Sequence, residues 1–463
     1  MKIGFLSLPA SGHLNPMTAL ARRLQSRGHE VIYLGVPDAE PAVRAAGLAF
    51  LPYGEDRYPP GSIPRIFEPV SRMAGMEVLD HTLRTISPGL LEVALRDLPG
   101  LLAGSGIDAM VIDSVYFFAQ LVPMGLGIPF VRAWAILPIH PAAATPPAFV
   151  SWPHDTTPEA LARNAEGMAA FGAQLEPLAA IARPYAEAVG LDIDWSDPTA
   201  TFSRLAEIVQ TPEAFDYPGV GWPAQFYFAG PFHDGEGREP VPFPWGRLDG
   251  RPIIYASLGT LVNGRDAIHR AILDATAGMH DVQLVFSVGK NADPGDLGPI
   301  PPDAIVVPVA PQIDLLKKAA LCITHAGMNT TLEALGQGVP LVAIPIGYDQ
   351  PGVAARIAYH RVGEFVEPED LTPEGLAAVI RKVLGDPAYR DRARSFRAAI
   401  EAANGLEVAC DLIELAFGSR LATPADSPLA GRTAGAQGAI GIRVPPPAGP
   451  VLLPPVNMRA GSL

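Results

Sequence analysis

Short apolar runs alternate along this chain with stretches whose apolar residues recur at helical spacing. Residues 2–8 form such a run, a Ser-Gly turn follows, and Met17, Leu20, Ala21 and Leu24 then fall on one helical face. A buried parallel strand, a loop and a covering helix read this way. Asn15 suits the N-cap of that helix, Pro16 its first turn and Gly28 its end, since each residue type satisfies the backbone demand of its position. Apolar runs at 31–34, 109–113 and 128–131, with a helical stretch ending at Gly125, continue the alternation and predict a doubly wound α/β sheet.

Two stretches break the pattern. Residues 56–88 and 133–155 are rich in Pro, Met and aromatics, including Phe67, Met73, Met76, Trp134 and Trp152, a composition suited to loops that line an apolar pocket. From residue 232 the chain carries Gly, Pro and charge without period, as an interdomain linker does. Alternation resumes at Pro252, with predicted strands at 253–257, 283–287, 305–307, 321–324 and 341–344. The expected organisation is a first domain over 1–231, a linker over 232–250, a second parallel α/β domain over 251–418, and a tail over 419–463. The tail contains PPPAGP and LLPP and no amphipathic period, so it reads as disordered or extended.

Composition narrows the classes. A chain of 463 residues with 48% hydrophobic and 18% charged residues can bury two or three cores. A net charge of −14 repels phosphate backbones, so nucleic acid is an unexpected partner and a nucleotide would have to be held by local dipoles. Two distant cysteines, Cys322 and Cys410, offer neither a disulfide framework nor a zinc site. The opening run meets Pro9 and Gly12 too early for a signal peptide, and no run reaches bilayer length. A cytoplasmic protein without a transmembrane segment is expected.

The most informative stretch is THAGMNTTLEALGQGVPLVAIPIGYDQ, residues 324–350. It combines a strand end, a glycine turn and a helix start near Asn329 and Thr330, where free N–H groups and the helix dipole can bind a diphosphate, with His325 as a further donor. Taken singly these residues have structural readings: Thr330 with Glu333 makes a capping box and Asp349 can cap the next helix. Together, His325, Gly327, Asn329, Thr330, Glu333, Gly338, Val339, Pro340, Pro345, Asp349 and Gln350 stand in the register of the donor-binding motif of the family-one, UDP-dependent glycosyltransferases, which this chain resembles. The resemblance implies that His325, Gly327, Asn329 and Thr330 surround the diphosphate, Glu333 holds the ribose, and Asp349 with Gln350 holds the sugar. Val309-Ala310-Pro311-Gln312 is similar to the segment framing the base, with Val309 where plant members usually carry tryptophan and Gln312 beside it. The interval to His325 is the shorter one of bacterial members, which makes UDP the expected nucleotide and dTDP the alternative. Ser257-Leu258-Gly259-Thr260 resembles the family's phosphate loop, with Ser257, Gly259 and Thr260 as donor contacts.

Gly12-His13-Leu14-Asn15-Pro16 follows the first strand at the edge where open parallel sheets place ligands. The same element opens the family's enzymes, where the histidine is the general base and an aspartate about 100 residues later orients it; here these are His13 and Asp113. An acceptor hydroxyl needs such a base because it is a poor nucleophile until its proton leaves. The resemblance covers residues 1 to about 418 and implies a GT-B fold, two facing Rossmann-like domains with a cleft between them. It also implies inverting transfer of a hexose, with glucose favoured by Gln350, to a small apolar hydroxyl acceptor such as a carotenoid, polyketide, flavonoid or sterol. Among bacterial members the chain is most similar to zeaxanthin and macrolide glucosyltransferases. Phe67, Met76 and Trp134 are the candidate acceptor contacts. No cofactor is expected, the UDP-sugar being a co-substrate, and an apolar acceptor is compatible with transient contact at a membrane surface.

Competing motifs are poorer. Asp192-Ile193-Asp194 has the D-x-D form of metal-binding transferases but sits in a loop before Trp195, where solvated charge is the ordinary reading, and no metal is assigned to it. Gly104-Ser105-Gly106 precedes a strand instead of following one, and no G-x-S-x-G is present. A UDP-sugar 2-epimerase of the same fold, or a nucleotide-sugar binding protein without catalysis, are the alternative functions.

Overall fold

A computed structural model of the chain describes residues 1–236, 240–262, 264, 266–289 and 294–418. The tail over 419–463 lies outside the described residues, as do linker residues 237–239. The first sheet contains β1 (Lys2–Leu6), β2 (Glu30–Gly35), β3 (Ala49–Pro52), β4 (Ala109–Asp113), β5 (Phe130–Trp134), β6 (Glu207–Val209) and β7 (Phe226–Phe228), in the order β3-β2-β1-β4-β5-β6-β7. The second contains β8 (Ile253–Ser257), β9 (Gln283–Ser287), β10 (Ile305–Val307), β11 (Ala319–Thr324), β12 (Leu341–Ala343) and β13 (Gly363–Phe365), in the order β10-β9-β8-β11-β12-β13. Every pairing is parallel. The central strands are apolar on both faces because helices cover both, and β4, β8 and β9 are buried throughout. These are two Rossmann-like domains of a GT-B fold.

In each sheet the strand order reverses once, between β1 and β4 and between β8 and β11. A crevice opens at such a switch point beyond the carboxyl ends of the strands. His13 follows β1 and Asp113 ends β4, while Ser257 ends β8 and His325 follows β11. Topology alone therefore collects these residues at the two crevices.

Several elements differ from the sequence reading. The first helix runs Ser11–Ser26 with Ala10 as N-cap, so Asn15 and Pro16 lie inside it and His13 sits in its first turn. Residues 56–88 are not one irregular loop: they contain the helices Ser62–Phe67 and Met76–His81 and a π-helical turn over Thr82–Ile86. Strand β5 extends to Trp134, past the predicted end at 131. The last described helix, Gly405–Gly418, was expected with the second domain; instead Leu406, Cys410 and Ile413 pack with Phe5, Leu20 and Val111 of the first. Arg27 fixes it there by ion pairs to Glu407, Asp411 and Glu414. Both cysteines are buried free thiols, and no described helix is long and apolar enough to cross a membrane.

Candidate active site

His13 Nδ1 lies 2.8 Å from Asp113 Oδ2. Asp113 is buried at the end of β4, with backbone N–H groups of Leu8 and Val115 directed at its two oxygens at 3.4 Å each. Burial opposes a proton on His13, but the charge and hydrogen bond of Asp113, with Asp349 beyond it, outweigh burial and raise the imidazole pKa above its ordinary 6.5. With Nδ1 facing the carboxylate, Nε2 is the nitrogen left to exchange a proton with a ligand.

The donor motif folds around a tight reversal. Ala326 adopts φ +63°, a left-handed conformation uncommon outside glycine, and its N–H is accepted by Thr324 Oγ1 at 3.2 Å. This turn delivers the chain from β11 into the Met328–Gly336 helix, with Gly327 as extended N-cap. The His325 ring lies between two glycines. A β-carbon on Gly259 would stand 2.6 Å from His325 Nε2, and one on Gly327 would stand 2.4 Å from it, so no side chain fits at either position. Burial, partly offset by a hydrogen bond with the Ser257 backbone, lowers the His325 pKa to about 4. The ring is neutral at pH 7, and its one N–H is taken by the Ser257 carbonyl, so the further donor expected from the sequence is not available there.

The other donor-motif side chains are held by partners. Gln312 Nε2 donates to Glu333 Oε2 at 2.7 Å and to Thr330 Oγ1 at 3.3 Å, while Tyr255 OH donates to Gln312 Oε1 at 3.0 Å. Gln350 is buried, and its Oε1 accepts the Ile346 and Gly347 N–H groups at 2.8 and 3.0 Å, so its amide oxygen is committed to the backbone. Asp349 Oδ2 accepts the Leu137 N–H at 2.9 Å, and burial raises its carboxyl pKa against the opposing pull of that bond and of His13. Val309 is half-buried just beyond β10 and Thr260 is exposed beside Gly259.

Asn329 joins the two domains. Its Nδ2 donates to the Gly12 carbonyl at 2.7 Å, and its Oδ1 accepts from Gln210 Nε2 at 3.0 Å. Pro16 explains why the Gly12 oxygen is available: four residues on in the helix, it has no N–H to offer. A second tie lies further out, where buried Arg356 donates through Nε and Nη2 to Asp216 Oδ1 at 3.0 and 2.7 Å and stacks on Tyr217. Neither Gln210 nor Leu137 was singled out from the sequence. The available signal was a glutamine directly after the apolar pair Ile208-Val209, at the carboxyl edge of a strand too short to reveal itself by periodicity.

The candidate acceptor residues are not brought together. Phe67 is buried in the hydrophobic core. Trp134 is 3% exposed, packs against Phe202 and Phe226, and donates from Nε1 to buried Glu207 at 2.6 Å. Met76 is exposed at the start of its helix, next to Gly75, whose N–H donates to the Ile346 carbonyl of the second domain at 2.6 Å. Asp194 accepts the N–H and hydroxyl of Ser196 at 2.9 and 2.6 Å, a local turn at the surface.

Residues 270–415 match the family described as erythromycin biosynthesis protein CIII-like, C-terminal domain. The chain is 30% identical to demethyllactenocin mycarosyltransferase of Streptomyces fradiae over 432 residues, covering 89% of this chain and 86% of the relative. It is 28% identical to zeaxanthin glucosyltransferase of Pantoea ananas, covering 88% and 94%. A crystal structure of the kitacinnamycin glycosyltransferase superposes with a TM-score of 0.69 at 26% identity, covering 90% of this chain and 98% of that one. The chain belongs to the family-one glycosyltransferases of GT-B fold, enzymes that use nucleoside-diphosphate sugars.

Proposed function

We propose that this enzyme moves glucose from UDP-glucose to a hydroxyl of a small apolar acceptor, such as a carotenoid, polyketide, flavonoid or sterol, with inversion and without a metal. The observation that carries the reading is the His13–Asp113 pair, 2.8 Å apart at the first switch point and in the electrostatic reach of Asp349 from the other domain. The acceptor O–H proton passes to His13 Nε2 as its oxygen bonds to the anomeric carbon, and the bond from that carbon to the diphosphate oxygen breaks. Asp113 stabilises the imidazolium that forms, as in a hydrolase triad that lacks its serine. A single displacement from the face opposite the leaving group inverts the anomeric centre.

The departing diphosphate gains charge at the start of the Met328–Gly336 helix, where the dipole, Asn329 and Thr330 offer fixed donors, with the neutral His325 ring wedged between Gly259 and Gly327. These groups do the work of a metal in this reading. Glu333 and Gln312 hold the ribose and base, and Asp349 with Gln350 holds the sugar hydroxyls. The mycarosyl and glucosyl transfers named for the two relatives support a natural-product acceptor. UDP-glucose, whose donor bond is α, should yield a β-glucoside with stoichiometric UDP release when the enzyme is supplied with a panel of apolar alcohols and phenols. An α-glucoside by NMR would contradict the single displacement, and release from dTDP-glucose alone would overturn the nucleotide assignment.

A further inference from the structure

We infer that Pro16 and Gln210 are positioning residues for transfer, acting from opposite sides on Asn329 so that the turn carrying His13 is fixed against the diphosphate site. The inference rests on the reading of Asn329 as a diphosphate contact and of His13 as the base. An interior proline normally weakens a helix, because it removes one hydrogen bond and its ring pushes aside the carbonyl four residues back. Here that carbonyl belongs to Gly12, and it accepts Asn329 Nδ2 from the second domain at 2.7 Å. The lost helical bond is replaced by one that crosses the cleft.

Gln210 determines which way the Asn329 amide faces. Its own position is set by β5: its backbone N–H donates to the Trp134 carbonyl at 3.2 Å, and its Nε2 donates to the Ala135 carbonyl. The same Nε2 reaches Asn329 Oδ1 at 3.0 Å, and the residue is 2% exposed. With Oδ1 occupied by a donor, Nδ2 faces Gly12 and the cleft. One of its hydrogens engages Gly12, and the second is free for a diphosphate oxygen. A single amide then links the leaving group to the residue preceding the base. Small displacements between reacting groups cost large factors in rate.

Two single substitutions and their combinations with Asn329→Ala test this, with kcat, UDP affinity by calorimetry and thermal midpoint measured for each. Pro16→Ala supplies the missing N–H and draws the Gly12 carbonyl back into the helix. It should leave the midpoint unchanged or raise it, keep UDP affinity within about twofold, and lower kcat about fivefold, the worth of one hydrogen bond. Gln210→Met keeps the volume and removes both donors; it should lower kcat and UDP affinity, each about fivefold. In the Asn329→Ala background neither substitution should lower kcat further. A purely structural role predicts the opposite pattern: effects that multiply with Asn329→Ala, or a Pro16→Ala enzyme at native kcat, and either result overturns the inference while native turnover stands. A native enzyme that binds no UDP overturns the reading of the donor site and the inference with it.

Discussion

The donor side and the acceptor side of this enzyme are built on different principles. On the donor side nearly every polar group is held by another: Gln312 by Tyr255 and Glu333, Gln350 by two backbone N–H groups, and the His325 ring by glycines on both flanks. On the acceptor side the aromatics expected to meet a ligand, Phe67 and Trp134, are packed into the first domain's core. A diphosphate and a sugar demand named donors at set spacings from a helix start, whereas an apolar acceptor demands only volume and surface, which many side chains from distant segments can supply. The first requirement writes a motif into the chain and the second does not.

Substitutions at four places break or sharpen that contrast. Asp113→Asn removes the charge that supports the base and should lower kcat by roughly 100- to 10,000-fold. It also removes the largest raising influence on His13, while burial continues to lower the imidazole pKa. Since the base acts when neutral, activity falls as pH drops through that pKa, and the acid limb of the kcat profile should move to lower pH in the variant. Arg356→Met strands the buried carboxylate of Asp216 and severs a tie between acceptor-domain and donor-domain segments. Losing one partner of such a pair costs about 3–5 kcal/mol, read as a lowered denaturant midpoint. Glu333→Ala deletes the charged partner of Gln312 and should weaken UDP binding about 10- to 100-fold, with the affinity for acceptor unchanged. Met76→Ala, at a position 39% exposed, should change stability by less than about 0.5 kcal/mol, leave UDP affinity intact, and alter acceptor KM alone if this surface meets the acceptor.

Much of the fold was legible because buried parallel strands are uninterrupted apolar runs: β4, β8, β9 and β10 have the boundaries that hydrophobicity alone predicts. Strands β6 and β7, three residues each, are too short to show a period, and with them Gln210 stayed hidden. The helices between 62 and 86 were missed because Pro64, Pro69 and Gly75 punctuate them. Asn15-Pro16 reads locally as a helix start, and only the second domain, which satisfies the Gly12 carbonyl through Asn329, shows why the proline is tolerated inside. Trp134 illustrates the remaining gap. Its aromatic character was readable, but the predicted strand stopped at 131 and left Trp134 in a loop, and nothing local shows that the indole N–H is satisfied inside the core by Glu207, 73 residues away.

The central claim is that His13, supported by Asp113, removes the acceptor's proton while a separate site in the second domain holds the nucleotide. The most direct measurement compares native enzyme and His13→Ala for acceptor-dependent UDP release from UDP-glucose, with UDP affinity determined calorimetrically for both. Release lowered by roughly 100- to 10,000-fold at unchanged UDP affinity is the predicted result. Release at the native rate from the His13→Ala enzyme would contradict it.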